Sequence, residues 1–573
     1  VRRRALVLIA SVALGTIVSG CAGVPTNGAV HAGNPVPAAA GDEPLAIRQI
    51  ARGPSHGQTP DDIVRGFLTA SASIEDNHSI AREYLTAAAS GSWDPSARVV
   101  VYDDNGTTFV GTPRATSRAR VVPVRAPLLA TIGPDGGYTV ATSVARLNAD
   151  IRLVQEQGEW RISNPPPGVI LTRLGLTRSF EQLKVYFLDR TLDTVVPDDV
   201  FLEASSTALA TALVRRLLRG PTTWLEPAVR TAIPPGTTLI GTAPIDDRGT
   251  VTVDLSQEVL ASTSLQRAQL SAQIGWTLRQ LPVVTRVHVL AEGSPIPGVP
   301  AFQGRDTWSS YDPSALSADA TGYFRAGNRL RSVSGTPVAA RVEVDGTTLD
   351  RVALSPSGTY AAGLLHAAGR TTLYVGSVET APRAVLSNSA GFTPPSWDAG
   401  NELWTVELGA APRLLVVRPP AKPVVVAAPE LAGRVISAAR ISRDGTRLAV
   451  IAGVGAQREL LVGRVRTTGN DALRVEEFRR PGPELTAAKD LSWADPSTLA
   501  VLAVRRTGAL RPWLVRVDGA ELNPITTAGV LSYDEIAAAP GQPTLVESRG
   551  LVYSAQRGLW TVLGRGSQPA YPG

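Results

Sequence analysis

The apolar positions divide the chain into stretches of different period. Positions 5–18 are an unbroken run of apolar and small residues behind Arg2, Arg3 and Arg4. Positions 22–57 show little periodicity and are rich in Ala, Gly and Pro, the composition of a tether. Helical periodicity starts at Thr59-Pro60-Asp61-Asp62. Thr suits the cap, Pro the first helical position and acids the first turn, and Ile63, Phe67 and Ala70 form the apolar stripe. A second short helix is predicted over 79–88. The period then falls to two, predicting strands over 98–102, 108–110, 119–124, 138–144, 151–155 and 160–163. Asn105-Gly106 is a strong hairpin signal and Gln157-Gly158 a weaker one.

The next stretch alternates strands and helices. A strand is predicted over 183–188. A helix over 206–219 is capped by Ser206 or Thr207, lined by Leu209, Leu213 and Leu217, and stopped by Gly220-Pro221. Strands follow over 238–242 and 250–255, then a helix over 266–281 and a strand over 283–290, giving the order βαββαβ. Beyond about residue 305 the pattern repeats. "LSPSGTYAAGL" (354–364), "PSWDAGNELWTV" (395–406), "ISRDGTRLAVI" (441–451), "LSWADPSTLAVL" (491–502) and "AAAPGQPTLVE" (537–547) each read as a turn followed by alternating strands. Their spacing of roughly 40 to 50 residues lies in the range of propeller blades. Residues 323–333 supply candidate strands to close the ring, which allows five to seven blades, with six expected.

Three resemblances attach to these segments. The helices followed by a curved sheet, ending in "GEWRISNPP" (158–166), resemble the nuclear-transport-factor-like α+β domain of envelope lipoproteins. "RRLLRGP", "AIPPGTTL", "VTVDLS" and "AQIGWTLRQLPVVTRVHV" resemble the GerMN domain, a binding or scaffold module that implies no reaction. Ser-x-Asp-Gly-x-x-Leu-Ala resembles the blade consensus of TolB-type propellers. The expected organisation is a signal peptide over 1–20, a tether over 21–57, a nuclear-transport-factor-like domain over 58–170, a GerMN domain over 180–295 and an all-β propeller over 305–573.

The opening run has the basic start and apolar stretch of an export signal and is too short to span a bilayer. It ends in Val18-Ser19-Gly20-Cys21, which resembles the bacterial lipobox. That resemblance implies cleavage before Cys21, guided by the three residues ahead of it, and a diacylglyceryl group on the Cys21 sulfur, with a further acyl chain on the new amino group left open. Cys21 is the only cysteine, so no disulfide stabilises the exported chain. Arg2 to Arg4 carry half of the formal net charge of +6. What remains is dispersed over a large surface, which is not the footprint of a nucleic-acid binder. Lysine occurs only at Lys184, Lys422 and Lys489, an arginine-heavy usage typical of GC-rich genomes.

No reaction chemistry stands out. His31, His56, His78, His288 and His366 have no metal-ligand spacing and no thiol partners. No nucleophile elbow, Walker loop or dinucleotide fingerprint is present, and no cofactor is expected. The acidic pairs Asp61/Asp62, Asp103/Asp104, Asp198/Asp199 and Asp246/Asp247 read as helix starts and turns, where Asp is locally favoured. Trp308, Trp397, Trp404, Trp493, Trp513 and Trp560 lie in or beside the propeller. They are expected to pack between blades, with a ligand-binding aromatic patch as the other possibility.

The order of lipobox and three domains, with "FQGRDTWSSYDPSAL" (302–316) at the propeller entry, resembles the actinobacterial LpqB lipoproteins over the whole chain. The resemblance implies a non-enzymatic accessory protein, held on the outer face of the cell membrane by its lipid. It also implies a partner, the extracytoplasmic part of an MtrB-type sensor kinase in a system controlling cell-wall homeostasis and division. The alternative is a lipoprotein that binds cell-wall glycan or peptide, with or without hydrolysing it.

Overall fold

The computed structural model describes residues 52–109, 119–203, 209–316, 320–525 and 532–573. The helix Pro60–Ala70 forms as its signals predict, with a capping box between Thr59 and Asp62 and with Ile63, Val64, Phe67, Leu68 and Ala70 buried. The helix predicted over 79–88 is instead two short ones, Ser79–Arg82 and Ala87–Ser92. Between them the backbone leaves the helix to pair with a strand edge: Thr86 N donates to Ile162 O at 2.9 Å, and Ile162 N to Tyr84 O at 2.9 Å.

These helices cover a curved sheet ordered Glu159–Ile162, Arg146–Glu156, Ala119–Ile132, Val99–Tyr102, Val169–Thr172. The pairings are antiparallel except the last, where Val169–Thr172 runs parallel to Val99–Tyr102. The strand after "GEWRISNPP" was not expected. Its residues Val169, Ile170 and Leu171 are all buried, and a short, fully apolar run carries no alternation to announce it.

The middle domain departs from βαββαβ by two added strands and one lost, the second addition being the short Ser294–Pro295 at its end. A second strand, Val195–Glu203, pairs antiparallel with Phe180–Leu188 along its whole length. The stretch 238–242 contributes only an isolated bridge, Leu239 to Leu255. The helix Leu209–Leu218 buries Leu213, Val214 and Leu217, while the Ser206 and Thr207 caps fall outside the described residues. The helix Ser264–Leu278 has a capping box between Thr263 and Gln266 and is buried from Gln269 onward. It packs chiefly against Phe180–Leu188 and the helix Leu209–Leu218, and touches Arg286–Ala291, which runs parallel to Thr250–Leu255.

Six blades form the propeller. Five four-stranded sheets start at Asp350, Ser396, Ile436, Leu485 and Glu535. The sixth is assembled from both ends of the segment: Tyr323–Arg325 lies between Leu330–Ser332 and Ser567–Ala570. The Asp-Gly turn of the third blade shows how the repeat signal works. Asp444 accepts from Thr446 N at 2.9 Å and from the Ser442 and Thr446 hydroxyls at 2.6 Å, and Gly445 takes the left-handed φ of 68° that the turn requires.

Candidate functional site

The residues predicted to carry the lipid and guide its processing, Val18, Ser19, Gly20 and Cys21, lie outside the described residues, as does His31. Among the described residues no helix is long and apolar enough to cross a membrane. Nor is any group of three His, Cys, Asp or Glu placed to hold a metal ion. His78 is buried against Trp93, with ring centroids 5.8 Å apart, and burial lowers its pKa. His288 is half-buried and packs on Phe302.

The propeller tryptophans pack inside, as the first of the two expectations had it. Trp397, Trp404, Trp493, Trp513 and Trp560 are buried, and Trp308 is half-buried. Five of their indole N–H groups are bonded internally, to Ala353 O, Asp398, Arg440 O, Ala503 O and, from Trp308, Gln303 Oε1. No aromatic patch of tryptophan faces solvent on the described propeller.

Polar chemistry concentrates at the junction between the middle domain and the propeller. Asp198 and Asp199, read from sequence as a turn, sit within the strand Val195–Glu203 and are buried. Pro197 and the paired acids disguise the strand, because the partners that make it tolerable are remote in sequence. Asp198 accepts from Thr222 N at 2.6 Å and from Thr222 Oγ1 at 2.8 Å, yet burial still pushes its pKa up to about 6. Asp199 pairs with Lys184 at 2.7 Å and with Arg516 of the fourth blade. Burial opposes its charge, but the two cations outweigh that and hold it down at about 2. Asp518 alongside is pushed up to about 6 by burial and by the Asp199 charge.

A second cluster crosses the same junction. Arg190, in the turn after Phe180–Leu188, reaches Glu402 at 2.6 Å and Asp398 at 3.8 Å on the second blade, and Arg418 binds Glu402 from the other side. Burial first, and the Glu402 charge second, push Asp398 up to about 7. The buried Arg447 donates to Pro197 O at 2.5 Å, Arg464 to Trp224 O at 2.8 Å, and Trp224 Nε1 to Glu477 O at 3.0 Å. The first domain is held similarly. Asp135 accepts from Thr223 N and Oγ1, both at 2.9 Å, and Tyr138 stacks on Phe201 with centroids 5.2 Å apart. These pairs need matched partners on both sides and so fix the register of the domains, while the apolar core that the middle domain shares with the propeller, Val185, Leu213 and Leu225 with Ile451, Leu460 and Leu491, supplies the burial that opposes separation. The three folded domains are thereby joined into one body.

The other concentration of charge lines the propeller's central channel. Arg351 pairs with Glu535. Asp490 and Arg440 line the same cavity without forming an ion pair. Residues 571–573 lie across one end, where Tyr571 Oη donates to Pro543 O, Arg443 to Pro572 O, and Gly573 N to Leu354 O.

Comparison with known proteins places this architecture. Residues 53–176 match the model "Lipoprotein LpqB, N-terminal domain", residues 184–297 match "Sporulation and spore germination", and residues 328–572 match "Lipoprotein LpqB beta-propeller domain". Lipoprotein LpqB of Thermobifida fusca is 32% identical over 99% of this chain and 98% of its own length. That of Streptomyces coelicolor is 30% identical over 100% and 98%. Among solved structures, TolB from Acinetobacter baumannii aligns with 44% of this chain and 66% of its own, at 13% identity and a TM-score of 0.35. With relatives matching along nearly its entire length and both LpqB-specific domains present, this chain belongs to the LpqB lipoprotein family.

Proposed function

We propose that this chain is an exported, lipid-anchored, non-enzymatic accessory protein that binds and modulates an MtrB-type sensor kinase outside the membrane. Cys21 carries the diacylglyceryl group, and Val18, Ser19 and Gly20 present the cleavage site. The tether then lifts the three domains off the bilayer; its last residues, 52–57, are docked on the first domain, where Tyr84 Oη donates to Arg52 O at 2.8 Å and Gly57 N to Glu159 at 3.2 Å. The stretch 21–51 reaches roughly 100 Å fully extended, and as a coil about 30 Å. The observation that carries this reading is membership of a lipoprotein family along the whole chain. The kinase partner is what that membership implies. The body of joined domains supports it, since a rigid multi-domain surface suits docking on a folded sensor domain.

The reading is tested by crosslinking in membranes, followed by purification of the lipidated chain. Recovery of the kinase with wild-type protein, and its loss when the kinase's extracytoplasmic part is deleted, is the expected result. Failure to recover the kinase under several detergents and crosslinkers would refute the reading. The glycan-binding alternative predicts solvent-facing propeller tryptophans. Their burial removes the observation that would have favoured it.

A further inference from the structure

The middle domain carries a small pocket walled by arginines. It lies between the C-terminal end of the helix Ser264–Leu278, the start of the strand Arg286–Ala291 and the stretch 303–308. Arg279, Arg286 and Arg305 line it, and no carboxylate does. Arg279 is held in place: its guanidinium lies 3.0 Å over the Trp276 ring, and its Nη1 donates to Arg305 O at 3.2 Å. Arg286 and Arg305 are exposed, and among the described residues their side chains make no hydrogen bond or ion pair. The acids whose charge reaches this cluster, Asp246, Asp306 and Asp312, stand outside the lining.

Gln303 lines the same pocket and is 1% exposed. Its backbone bonds Val287 in both directions at 2.9 Å, and its Oε1 accepts from Trp308 Nε1 at 2.7 Å. An indole N–H can only donate, so it fixes the carbonyl end of the amide and leaves the donor end over. Gln303 Nε2 is buried and has no acceptor among the described residues. A buried donor without a partner costs roughly 1–3 kcal/mol, so the pocket is short of one acceptor. Its free space is about 10 Å³, room for a single oxygen. Beside it Phe302 is 54% exposed, packs on His288 with ring centroids 4.7 Å apart, and has the Arg286 guanidinium 5.4 Å from its ring. Unneutralised cations next to an exposed apolar ring complement a carboxylate next to an apolar side chain. A planar carboxylate can enter edge-on, one oxygen first. The tetrahedral phosphate of a lipid headgroup brings three oxygens to a space that takes one.

We propose that this face of the middle domain is a docking surface for an acidic protein segment, a glutamate or aspartate carboxylate entering the pocket on Gln303 and the arginines while an adjacent apolar side chain rests on Phe302. The guanidinium groups supply charge-assisted donors, and the buried amide sets where the first oxygen stops. The surface goes beyond the kinase reading and does not depend on it, since it recognises a carboxylate and its neighbour in whichever protein carries them.

The test is calorimetric titration of the full-length chain in detergent with a capped tetrapeptide carrying Glu beside Leu, against the same peptide with Gln for Glu. The Glu peptide should bind roughly ten-fold or more tightly than the Gln peptide, the scale of a charged hydrogen bond. Its affinity should fall as salt rises. Arg286→Gln and Arg305→Gln should each weaken it about three-fold, the scale of an exposed charge pair, without moving the melting temperature. Gln303→Glu keeps an acceptor for Trp308 and puts a negative charge where the donor was, so it should abolish binding of the Glu peptide; the exposed arginine variants carry the test where that one fails to fold. Phosphatidylglycerol vesicles and inorganic phosphate are titrated alongside. No binding of the Glu peptide, equal affinity for both peptides, parent-like affinity in the Arg286→Gln/Arg305→Gln double variant, or vesicles or phosphate binding more tightly than the peptide would each overturn the proposal.

Discussion

Asp199→Asn tests the domain junction most directly. The carboxylate is 4% exposed and binds Lys184 on the neighbouring strand and Arg516 on the fourth blade. Its pKa of about 2, against an ordinary 3.8, corresponds to roughly 2–3 kcal/mol of stabilisation of the charged form. A depressed carboxylate contributes fully above about pH 4, and the contribution is lost as pH falls through about 2. The neutral amide forfeits it and leaves Arg516, itself largely buried, short of a partner. It also relieves Asp518, which the Asp199 charge helps to hold up at about 6. The net expectation at neutral pH is therefore a loss of about 2–3 kcal/mol rather than the 3–5 kcal/mol typical of a broken buried pair. Urea unfolding followed by tryptophan fluorescence measures the loss. A double-mutant cycle with Arg516→Met isolates the cross-domain share, expected to exceed about 1 kcal/mol. A variant within about 0.5 kcal/mol of the parent, or a cycle with no coupling, would show that Asp199 does not clasp the domains.

Three further outcomes follow from the same geometry. Asp398, raised to about 7, favours folding in its protonated form, so its contribution is complete below about pH 4 and is lost as pH rises through about 7. Melting temperatures measured from about pH 5 to pH 8 should fall less steeply in Asp398→Asn than in the parent. Gly445→Ala forces an L side chain to φ 68° and sets its Cβ 3.4 Å from Asp398 Oδ2, so it should cost about 1–2 kcal/mol by denaturant midpoint. Cys21→Ser should abolish incorporation of labelled fatty acid while leaving the circular dichroism of the folded domains unchanged; label in that variant would refute the lipid assignment.

How far sequence reached depended on where each element finds its partners. The helix Pro60–Ala70 was legible because its cap, first turn and buried stripe all lie within twelve residues. The blades were legible because each repeats one local turn and one alternation. The strand Val195–Glu203 was not, since Asp199 is made tolerable in a strand by an arginine 317 residues away. The split of the helix over 79–88 has a similar cause, a strand edge at Ile162 that no local rule could place there. Arg440 and Asp490 are single charged residues on separate inner strands, and only closure of the ring sets them on one cavity. The six-blade expectation succeeded because the closing strands 323–333 were legible apart from the turn-based repeats.

Ring closure also fixes the order of events during folding. The strand Tyr323–Arg325 finds its outer neighbour within ten residues, but its other edge waits for Ser567–Ala570. A chain delivered from its N-terminal side can stack five blades one on another while this seam stays open. The circle locks only when the far strand arrives, so a polypeptide threaded across a membrane cannot become trapped as a finished ring before its passage is nearly complete. Cutting out 567–570 would leave the five four-stranded blades intact and an arc in place of a wheel.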